Sequence, residues 1–288
     1  MSPVLKPTII QRNNSRHLVP PLENSRPVFR LEIMDDATLE LKLRLHGRTI
    51  KTGCKNIDNV LSNGGIPVNS IVEISGESSC GKTQICLQLA ITVQYPEEMG
   101  GLDAGVIYIC TEDAFPSKRL SDLCDEFVKH LPKPPKNIDF GKNVFVIHVY
   151  DLKQFQTCLF EQVPNLISRM KIGLIIIDSI AGIFRYDCDI PWVKKLEILE
   201  KVARKLHDFI ADDYVAVVCV NQVTTQIENG VSKLVPSLGD SWGKHVLTRI
   251  ELQRSRDETN PERTFTVTLD RDIPGGSCKF TIQPYGII

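Results

Sequence analysis

Five short and continuously apolar runs recur between residues 70 and 222, with segments of helical length between them. A strand that is apolar on both sides is buried on both sides, and strands that alternate with helices form parallel sheets covered by helices. The sequence therefore predicts an α/β fold built on a mainly parallel, twisted sheet with helices on both faces. The runs are "SIVEISG" (70–76), "GVIYICT" (105–111), "NVFVIHV" (143–149), "LIIIDS" (174–179) and "YVAVVCVNQ" (214–222).

Two further runs and one long helix complete the predicted core, which extends from about residue 46 to residue 288. Residues 249–255 and 263–271 alternate apolar and polar side chains, which predicts antiparallel strands at the C-terminal edge of the sheet. Apolar residues at helical spacing predict a helix over 192–212 whose apolar face belongs to the core. That face consists of Trp192, Leu196, Leu199, Ala203, Leu206 and Ile210.

The composition excludes several classes of protein. With 42% hydrophobic and 24% charged residues among 288, the chain is neither wholly disordered nor fibrous. The formal net charge of -1 gives no global preference for nucleic acid or for an acidic membrane surface. Nine cysteines without a CxxC pair indicate reduced thiols rather than a disulfide framework or a zinc site. We therefore expect a soluble intracellular protein without a membrane partner.

Residues 1–45 differ from the rest of the chain. They contain five prolines, and residues 1–30 carry five basic side chains against one acidic side chain. This composition predicts a flexible basic leader. Both an inert tail and an arm that contacts a partner or DNA are consistent with it.

The stretch "GESSCGKT", Gly76–Thr83, follows one predicted strand and opens a predicted helix. It has the GxxxxGK[ST] pattern, in which loop N–H groups surround phosphates, the lysine reaches the β and γ phosphates and the hydroxyl faces Mg²⁺. ATP and Mg²⁺ are therefore the expected ligands. The expected nucleotide-binding residues are Gly76, Glu77, Ser78, Ser79, Cys80, Gly81, Lys82, Thr83 and Gln84.

Three polar side chains stand at or just after the carboxyl ends of other predicted strands, where open α/β sheets bind ligands. Asp178 is expected to hold Mg²⁺ together with Thr83, although capping of the next turn is an alternative. Glu112 either orients or deprotonates the attacking water, or is a solvated strand end or helix cap. Gln222 either contacts the γ-phosphate or is a satisfied polar strand end. With Lys82, Glu112 and Gln222 form the expected catalytic set.

The motifs "GESSCGKTQ", "YICTEDAFPSKRL", "LIIIDS" and "VVCVNQVT" follow "TGCKNIDNVLSNGGIPVNSIVEISG" in this order. In order and spacing they resemble the ATPase core of the RecA-like recombinases in their eukaryotic form, over about residues 45–288. The segments "GGLDAGVIYICTEDAFPSKRL" and "PSLGDSWGKHVLTRIEL" resemble one paralogue group of that family. The resemblance implies a RecA-like P-loop ATPase that acts in homologous recombination, located in the nucleus with some in the cytoplasm.

The resemblance also assigns roles to individual residues. Glu112 matches the glutamate that activates water, and Gln222 matches the glutamine that couples the γ-phosphate to the second DNA-binding loop. Arg119 matches a side chain that stacks near adenine, with a solvated helix charge as its alternative. The two DNA-binding loops correspond to about residues 185–193 and 224–239.

Departures from the family pattern shape the expected function. The first loop has one arginine and two aspartates, and the second offers only Lys233 as a cation. Because phosphate contacts supply most non-specific affinity, the chain alone is expected to bind single-stranded or branched DNA weakly. We expect a DNA-dependent ATPase of low turnover within a heteromeric complex that repairs double-strand breaks. The alternative is a nucleotide-loaded scaffold with little turnover.

The expected partners are another RecA-like recombinase paralogue, of the paralogue C type, and the recombinase itself. Residues 29–43 correspond to the family's linker, which adds a strand to a neighbour's sheet, although an edge strand of the same core is an alternative. The segment 270–274, "DRDIP", loosely resembles one that caps the neighbouring subunit's ATP. The irregular residues 1–45 are too few for the family's small helical domain, which is expected to be missing or truncated.

Overall fold

The computed structural model describes residues 47–129, 138–186, 190–212, 214–228, 231–257, 259–270 and 275–288. The predicted leader over residues 1–45 and most of the segment 270–274 lie outside the described residues. The strands in the described part are β1 (Thr49–Ile50), β2 (Ile66–Pro67), β3 (Ile71–Gly76), β4 (Gly105–Cys110), β5 (Val144–His148), β6 (Ile172–Asp178), β7 (Ala216–Asn221), β8 (Val223–Glu228), β9 (Val231–Pro236), β10 (Thr248–Arg254), β11 (Arg263–Leu269), β12 (Ser277–Phe280), β13 (Ile282–Gln283) and β14 (Gly286–Ile287).

The five apolar runs became β3 to β7, which confirms the predicted α/β fold. They belong to one eight-stranded sheet with the order β12-β11-β10-β3-β7-β6-β4-β5, in which neighbours from β10 to β5 run parallel. The carboxyl ends of these strands therefore meet along one edge of the sheet, and this edge carries the site described below.

The predicted antiparallel addition begins one strand later than expected. Strand β10 pairs parallel to β3, and only its other neighbour, β11, and then β12 are antiparallel. The alternating pattern of β10 reflects one buried and one partly exposed face. Such a pattern reports burial and carries no information on strand direction, which is why the sequence did not reveal the parallel pairing.

Helices cover both faces of the sheet. Successive strand residues point to opposite sides: in β4, Val106 and Tyr108 pack in one core cluster, whereas Ile107 and Ile109 pack in the other. The α-helices are α1 (Lys55–Val60), α2 (Lys82–Thr92), α3 (Ser117–Lys129), α4 (Leu152–Thr157), α5 (Val163–Ile167), α6 (Ile180–Tyr186), α7 (Trp192–Asp212) and α8 (Gly239–Gly243). A π-helical turn at Cys158–Gln162 joins α4 to α5, and 3₁₀ turns lie at Ser62–Gly64, Glu97–Met99 and Phe140–Asn143.

Helix α7 has the predicted bounds, but its predicted core face is wrong at the first position. Trp192 is 62% exposed and Val193 is 68% exposed, so the first turn of the helix is open to solvent. The buried face lies one turn further along and is centred on Val202 and Leu206.

Two further features concern the whole described part of the chain. Its eight cysteines are free thiols, and Cys188 lies outside it. Among its helices none combines the length and the apolar character that a membrane span requires.

Candidate nucleotide-binding site

The phosphate-type loop connects β3 to α2 through a backbone that only certain residues adopt. Gly76 has a φ of +151°, and a Cβ at this position would lie 2.3 Å from the carbonyl oxygen of Leu252 on β10. Gly81 caps α2 with a φ of +110°, and Ser79 also lies in the left-handed region with a φ of +63°. Side chains strongly disfavour such backbone, so both glycines of the motif are required for the loop to curl over the helix start.

The loop forms one wall of a cleft of about 760 Å³ at the carboxyl edge of the sheet. Small-molecule sites commonly enclose about 300–1,000 Å³, so the volume suits a nucleotide. The structure brings nearly all of the predicted site residues into this cleft. Its lining includes Gly76, Glu77, Ser78, Ser79, Gly81, Lys82, Thr83, Gln84, Glu112, Asp178 and Gln222. Cys80 is fully buried behind the loop and is not among the residues that line the cleft.

Lys82 folds back over the loop. Its Nζ donates hydrogen bonds to the carbonyl oxygens of Gly76 and Glu77, both at 2.7 Å. The ammonium is therefore held on the loop by acceptors weaker than a phosphate, and it can turn toward an anion without breaking an ion pair.

Thr83 and Asp178 form the oxygen-rich end of the cleft. Thr83 Oγ1 donates to Asp178 Oδ2 at 2.8 Å, and the hydroxyl of Tyr108 donates to the same oxygen at 2.8 Å. Burial raises the pKa of Asp178, while these two hydrogen bonds favour its ionised form and oppose the rise. A hydroxyl and a carboxylate in contact are the donor types that Mg²⁺ prefers, so the residues present fit this ion.

Glu112 lies at the centre of a second polar group. Gln222 Nε2 lies 2.5 and 2.6 Å from its two carboxylate oxygens, and Ser179 Oγ donates to Oε2 at 2.9 Å. Arg185 in turn donates to the amide oxygen of Gln222. Glu112 is thus tied to the neighbouring strand ends and does not cap α3, which begins at Ser117.

The backbone behind Glu112 fixes its position. A Cβ on Gly182 would lie 2.5 Å from Cγ of Glu112, so α6 approaches the glutamate as closely as a glycine permits. Ser179 follows a cis peptide bond after Asp178, and its N–H donates to Thr111 Oγ1 at 2.9 Å. The ends of β4 and β6 therefore hold the glutamate and the aspartate in one constellation.

Comparison with known proteins gives this constellation a family. The family model described as Rad51 matches residues 44–288. The chain belongs to the Rad51 family. It is 36% identical over 252 residues to the DNA repair protein XRCC3 of Bos taurus, with 83% of this chain and 74% of that protein covered. The XRCC3 homologue of Arabidopsis thaliana is 31% identical over 288 residues, with 83% and 92% covered. The DNA repair protein rhp57 of Schizosaccharomyces pombe is 30% identical over 284 residues, with 85% and 80% covered. The narrower resemblance to one paralogue group, the XRCC3 proteins, is thereby confirmed.

Arg119 lies apart from the lining of the cleft in this Rad51-family chain. Its Nε donates to Gln84 Oε1 at 2.8 Å, and its terminal nitrogens donate to the carbonyl oxygens of Gln283 and Pro284 at 2.8 and 2.7 Å. It therefore fastens the C-terminal hairpin β13–β14 to the start of α2. The alternative of a purely solvated charge is wrong, while a contact with adenine stays a prediction.

The second predicted DNA-binding loop is a β-hairpin in the Rad51-family core. Strands β8 and β9 pair antiparallel over Val223–Glu228 and Val231–Pro236. "VTTQIE" follows β7 after a single residue, and Asn229-Gly230 separates it from "VSKLVP". An Asn-Gly pair between two such runs is a hairpin signal, and the interpretation as loop overlooked it. Ile227 is 71% and Leu234 43% exposed on this hairpin. In the first predicted loop, residues 187–189 lie outside the described part of the chain.

Sequence reasoning missed a buried polar chain beneath the cleft. Glu73, fully buried in β3, accepts hydrogen bonds from Arg249 Nε at 2.6 Å and from Asn221 Nδ2 at 2.7 Å. Asn221 Oδ1 accepts from Ser237 Oγ at 2.9 Å, and the N–H of Ser237 donates to the carbonyl oxygen of Gln222 at 2.8 Å. The one signal for this chain was an acidic residue inside an otherwise apolar strand, "IVEIS".

Proposed function

We propose that this chain binds Mg²⁺ and ATP in the cleft and hydrolyses ATP slowly, as a Rad51-family paralogue in the repair of DNA double-strand breaks by homologous recombination. The observation that carries this proposal is the convergence of Lys82, the Thr83–Asp178 pair and the Glu112–Gln222 pair on a single cleft. Three relatives whose names describe DNA repair proteins, at 30–36% identity, support the biological setting.

Each group in the cleft has a distinct task in this mechanism. The loop N–H groups and Lys82 bind phosphate oxygens, and Lys82 exchanges the carbonyls of Gly76 and Glu77 for them. Thr83 and Asp178 would hold Mg²⁺. When bound, this ion neutralises charge on the phosphates.

Glu112 would accept the proton of the attacking water or orient it toward the γ-phosphate. Its carboxylate is presented to the cleft by Ser179 and Gln222 from the ends of neighbouring strands. The side-chain Nε2 of Gln222 donates to the glutamate. The backbone carbonyl oxygen of Gln222 accepts a hydrogen bond from the N–H of Ser237, at the base of the β8–β9 hairpin. A change at the γ-phosphate would reach the hairpin by this short route.

A heteromeric complex and weak DNA binding belong to the same proposal. Partners of this chain would be a second recombinase paralogue, of the paralogue C type, and the recombinase itself, and single-stranded or branched DNA would be bound chiefly by the complex. We place the protein in the nucleus, with a share in the cytoplasm, because homologous recombination acts on chromosomal DNA.

A nucleotide-loaded scaffold is the second candidate function. It is favoured by the hydrogen bonds from Gln222 and Ser179 that already occupy much of the Glu112 carboxylate. Under this alternative, ATP stabilises the fold and the partner interface while turnover stays negligible.

The deciding experiment measures retention and hydrolysis of radiolabelled ATP by the purified chain, with and without single-stranded DNA and a partner paralogue. We expect Lys82→Ala to weaken ATP retention by about tenfold or more, since it removes charge-assisted hydrogen bonds to phosphate. Lys118→Ala, at an exposed position on α3, is the matched control and should retain ATP as the wild type does. A wild-type chain that neither retains nor hydrolyses ATP even with a partner would refute the proposal.

A further inference from the structure

Arg263, the first residue of β11, stands beside the Gly81 end of the phosphate loop. Its Cδ lies 3.7 Å from the point where a Cβ on Gly81 would stand. The side chain lines the nucleotide cleft and also a second polar cleft of about 780 Å³, and the two clefts share the loop residues Gly76 and Glu77. Arg263 therefore lies on the boundary between the two clefts, next to the phosphate loop.

The hydrogen bonds of Arg263 are incomplete within the described structure. Nη1 donates to the carbonyl oxygen of Pro261 at 2.8 Å, whereas Nε is buried and has no partner among the described groups. No carboxylate of the described residues forms an ion pair with this guanidinium. The two other cations that line the nucleotide cleft in the described structure are engaged: Lys82 donates to loop carbonyls, and Arg185 donates to the amide oxygen of Gln222. A half-buried guanidinium with a spare, desolvated donor is the expected state of a residue whose anionic partner is a ligand.

The charges around the cleft make this donor valuable to a nucleotide. Glu112 and Asp178 face the same space that a triphosphate would occupy, and both repel it. Mg²⁺, held by Thr83 and Asp178, would offset part of this repulsion, and Arg185 lies at the Gln222 end of the cleft. On the loop itself, Lys82 provides one positive charge. A second cation over the loop would offset this repulsion, and a guanidinium is suited to phosphate because its N–H groups match two oxygens at once.

We propose that Arg263 is a further nucleotide-binding residue, whose guanidinium donates to α- or β-phosphate oxygens over the Gly81 end of the loop. This inference rests on the proposed function. Loop N–H groups of this motif surround the α and β phosphates, which places these oxygens next to Gly81 and hence next to Arg263. The residue acts in binding and not in the chemical step, so its loss should raise KM for ATP with little change in kcat.

The test measures the affinity of the purified 288-residue chain for fluorescent mant-ATP and mant-ADP. For Arg263→Gln we expect a Kd about ten- to a hundredfold higher for both nucleotides, since a charge-assisted hydrogen bond is lost. Arg263→Lys keeps the charge but loses the guanidinium that can contact two oxygens at once, so its Kd should lie between that of the wild type and that of Arg263→Gln. Arg254→Gln is the matched control: Arg254 pairs with Arg263 across β10 and β11 but lines the second cleft only, and its Kd should stay within about twofold of the wild type.

The outcomes separate this inference from the proposed function. Wild-type binding that is unchanged in Arg263→Gln overturns the role of Arg263 and leaves the nucleotide site intact. An equal loss in Arg254→Gln also overturns it, because the effect would then be a general field of positive charge. A wild type that binds neither nucleotide overturns both the proposed function and this inference. Melting temperatures identify variants with an altered fold. If Arg263→Gln is destabilised, the Kd of Arg263→Lys tests the role of Arg263 on its own, and a value equal to that of the wild type overturns it.

Discussion

In the proposed mechanism, Glu112 keeps its hydrogen bonds to neighbouring side chains and also accepts a proton from water. An ionised carboxylate has about four lone-pair sites. Gln222 and Ser179 together make three contacts with its oxygens, which leaves about one site for a water molecule. These hydrogen bonds therefore orient the carboxylate and leave it able to accept a hydrogen bond from water, as a general base must.

Glu112→Gln removes this base while keeping the shape of the side chain. We expect ATP turnover to fall by about a hundredfold or more, as is usual when a positioned general base is lost, with ATP retention nearly unchanged. Glu197→Gln makes the same change at an exposed position on α7, away from the cleft, and as the matched control it should keep the turnover of the wild type. Phosphate release and ATP retention on the same preparations provide the two readouts. Equal turnover in Glu112→Gln and wild type would favour the scaffold function.

Asp178 gives the site a pH dependence whose sign follows from its pKa. Burial raises the pKa of this carboxyl above its ordinary value of 3.8, so the folded protein binds the proton more tightly than the unfolded chain. The contribution of Asp178 to stability is therefore most favourable at low pH, and it declines as the pH rises through the folded pKa. Above its folded pKa, the free protein carries a partly buried carboxylate at this position that is destabilising without a cation.

Asp178→Asn should remove this cost. Without ligand, we expect the variant to melt at a higher temperature than the wild type at pH 7, and the difference should shrink as the pH falls toward 4. Mg²⁺ with ATP should raise the melting temperature of the wild type and leave that of Asp178→Asn nearly unchanged, because the variant lacks the anionic oxygen. Thermal melts from pH 4 to 8 measure both effects. A difference in melting temperature between Asp178→Asn and the wild type that grows as the pH falls would contradict the raised pKa of Asp178.

The individual site residues were predictable to the extent that their roles are local. Gly76, Lys82 and Thr83 belong to one contiguous motif, and Asp178 and Glu112 end apolar runs, so each carries a signal within a few residues. Tyr108, Ser179 and Arg263 carry none, since their positions depend on strands that meet only after folding. In the sequence Tyr108 is one more large residue in a buried strand, although its hydroxyl bonds to Asp178.

At the scale of elements, the buried group of Glu73, Asn221 and Arg249 joins β3 to β7 on one side and to β10 on the other. The side chain of Glu73 is fully buried, whereas that of Arg249 is 27% exposed. Breaking a buried pair leaves the remaining charge without a partner, which is costly because the protein interior solvates it poorly. This group also supports Ser237 at the end of β9, so the hairpin base depends on the same contacts.

Glu73→Gln should therefore destabilise the fold. Breaking a fully buried pair typically costs about 3–5 kcal/mol, and the partial exposure of Arg249 reduces our expectation to about 2 kcal/mol. Urea unfolding followed by circular dichroism measures the change in the free energy of unfolding. Asp103→Asn breaks an exposed pair with Lys171 and is the control, for which we expect no measurable change. A loss in Glu73→Gln no larger than that in the control would show that the buried pair contributes little.

The elements themselves were predicted unevenly, for physical reasons. Buried parallel strands leave uninterrupted apolar runs, so β3 to β7 could be read from the sequence. The order of strands could not, because it depends on crossovers whose direction leaves no local pattern. The β8–β9 hairpin did carry a local signal, the pair Asn229-Gly230 between its two runs, but the segment was interpreted as loop. The start of β8 carried no signal, because "VTTQIE" continues from the preceding strand without a glycine or proline between them.

For the whole molecule, the distribution of positive charge decides how DNA would be bound. The net charge is -1, so any attraction must come from local groups. On the β8–β9 hairpin the lysine at 233 is the cation among the described residues, while Ile227 and Leu234 are exposed apolar side chains beside it. This surface offers few partners for phosphates and more for stacking or protein contact.

The chain alone should therefore bind single-stranded DNA weakly and with little dependence on salt. Each phosphate contact on a single strand contributes about 0.7 to the slope of log K against log salt, so one or two contacts predict a slope no steeper than about -1.5. Fluorescence anisotropy with a labelled oligonucleotide over a salt series gives this slope. Adding a partner paralogue should steepen it, because the partner supplies the missing cations. A slope of about -3 or steeper for the chain alone would require several phosphate contacts and would contradict this prediction. If replacing Arg12, Arg16 and Arg26 by glutamine then made the slope shallow again, those phosphate contacts would belong to the basic leader.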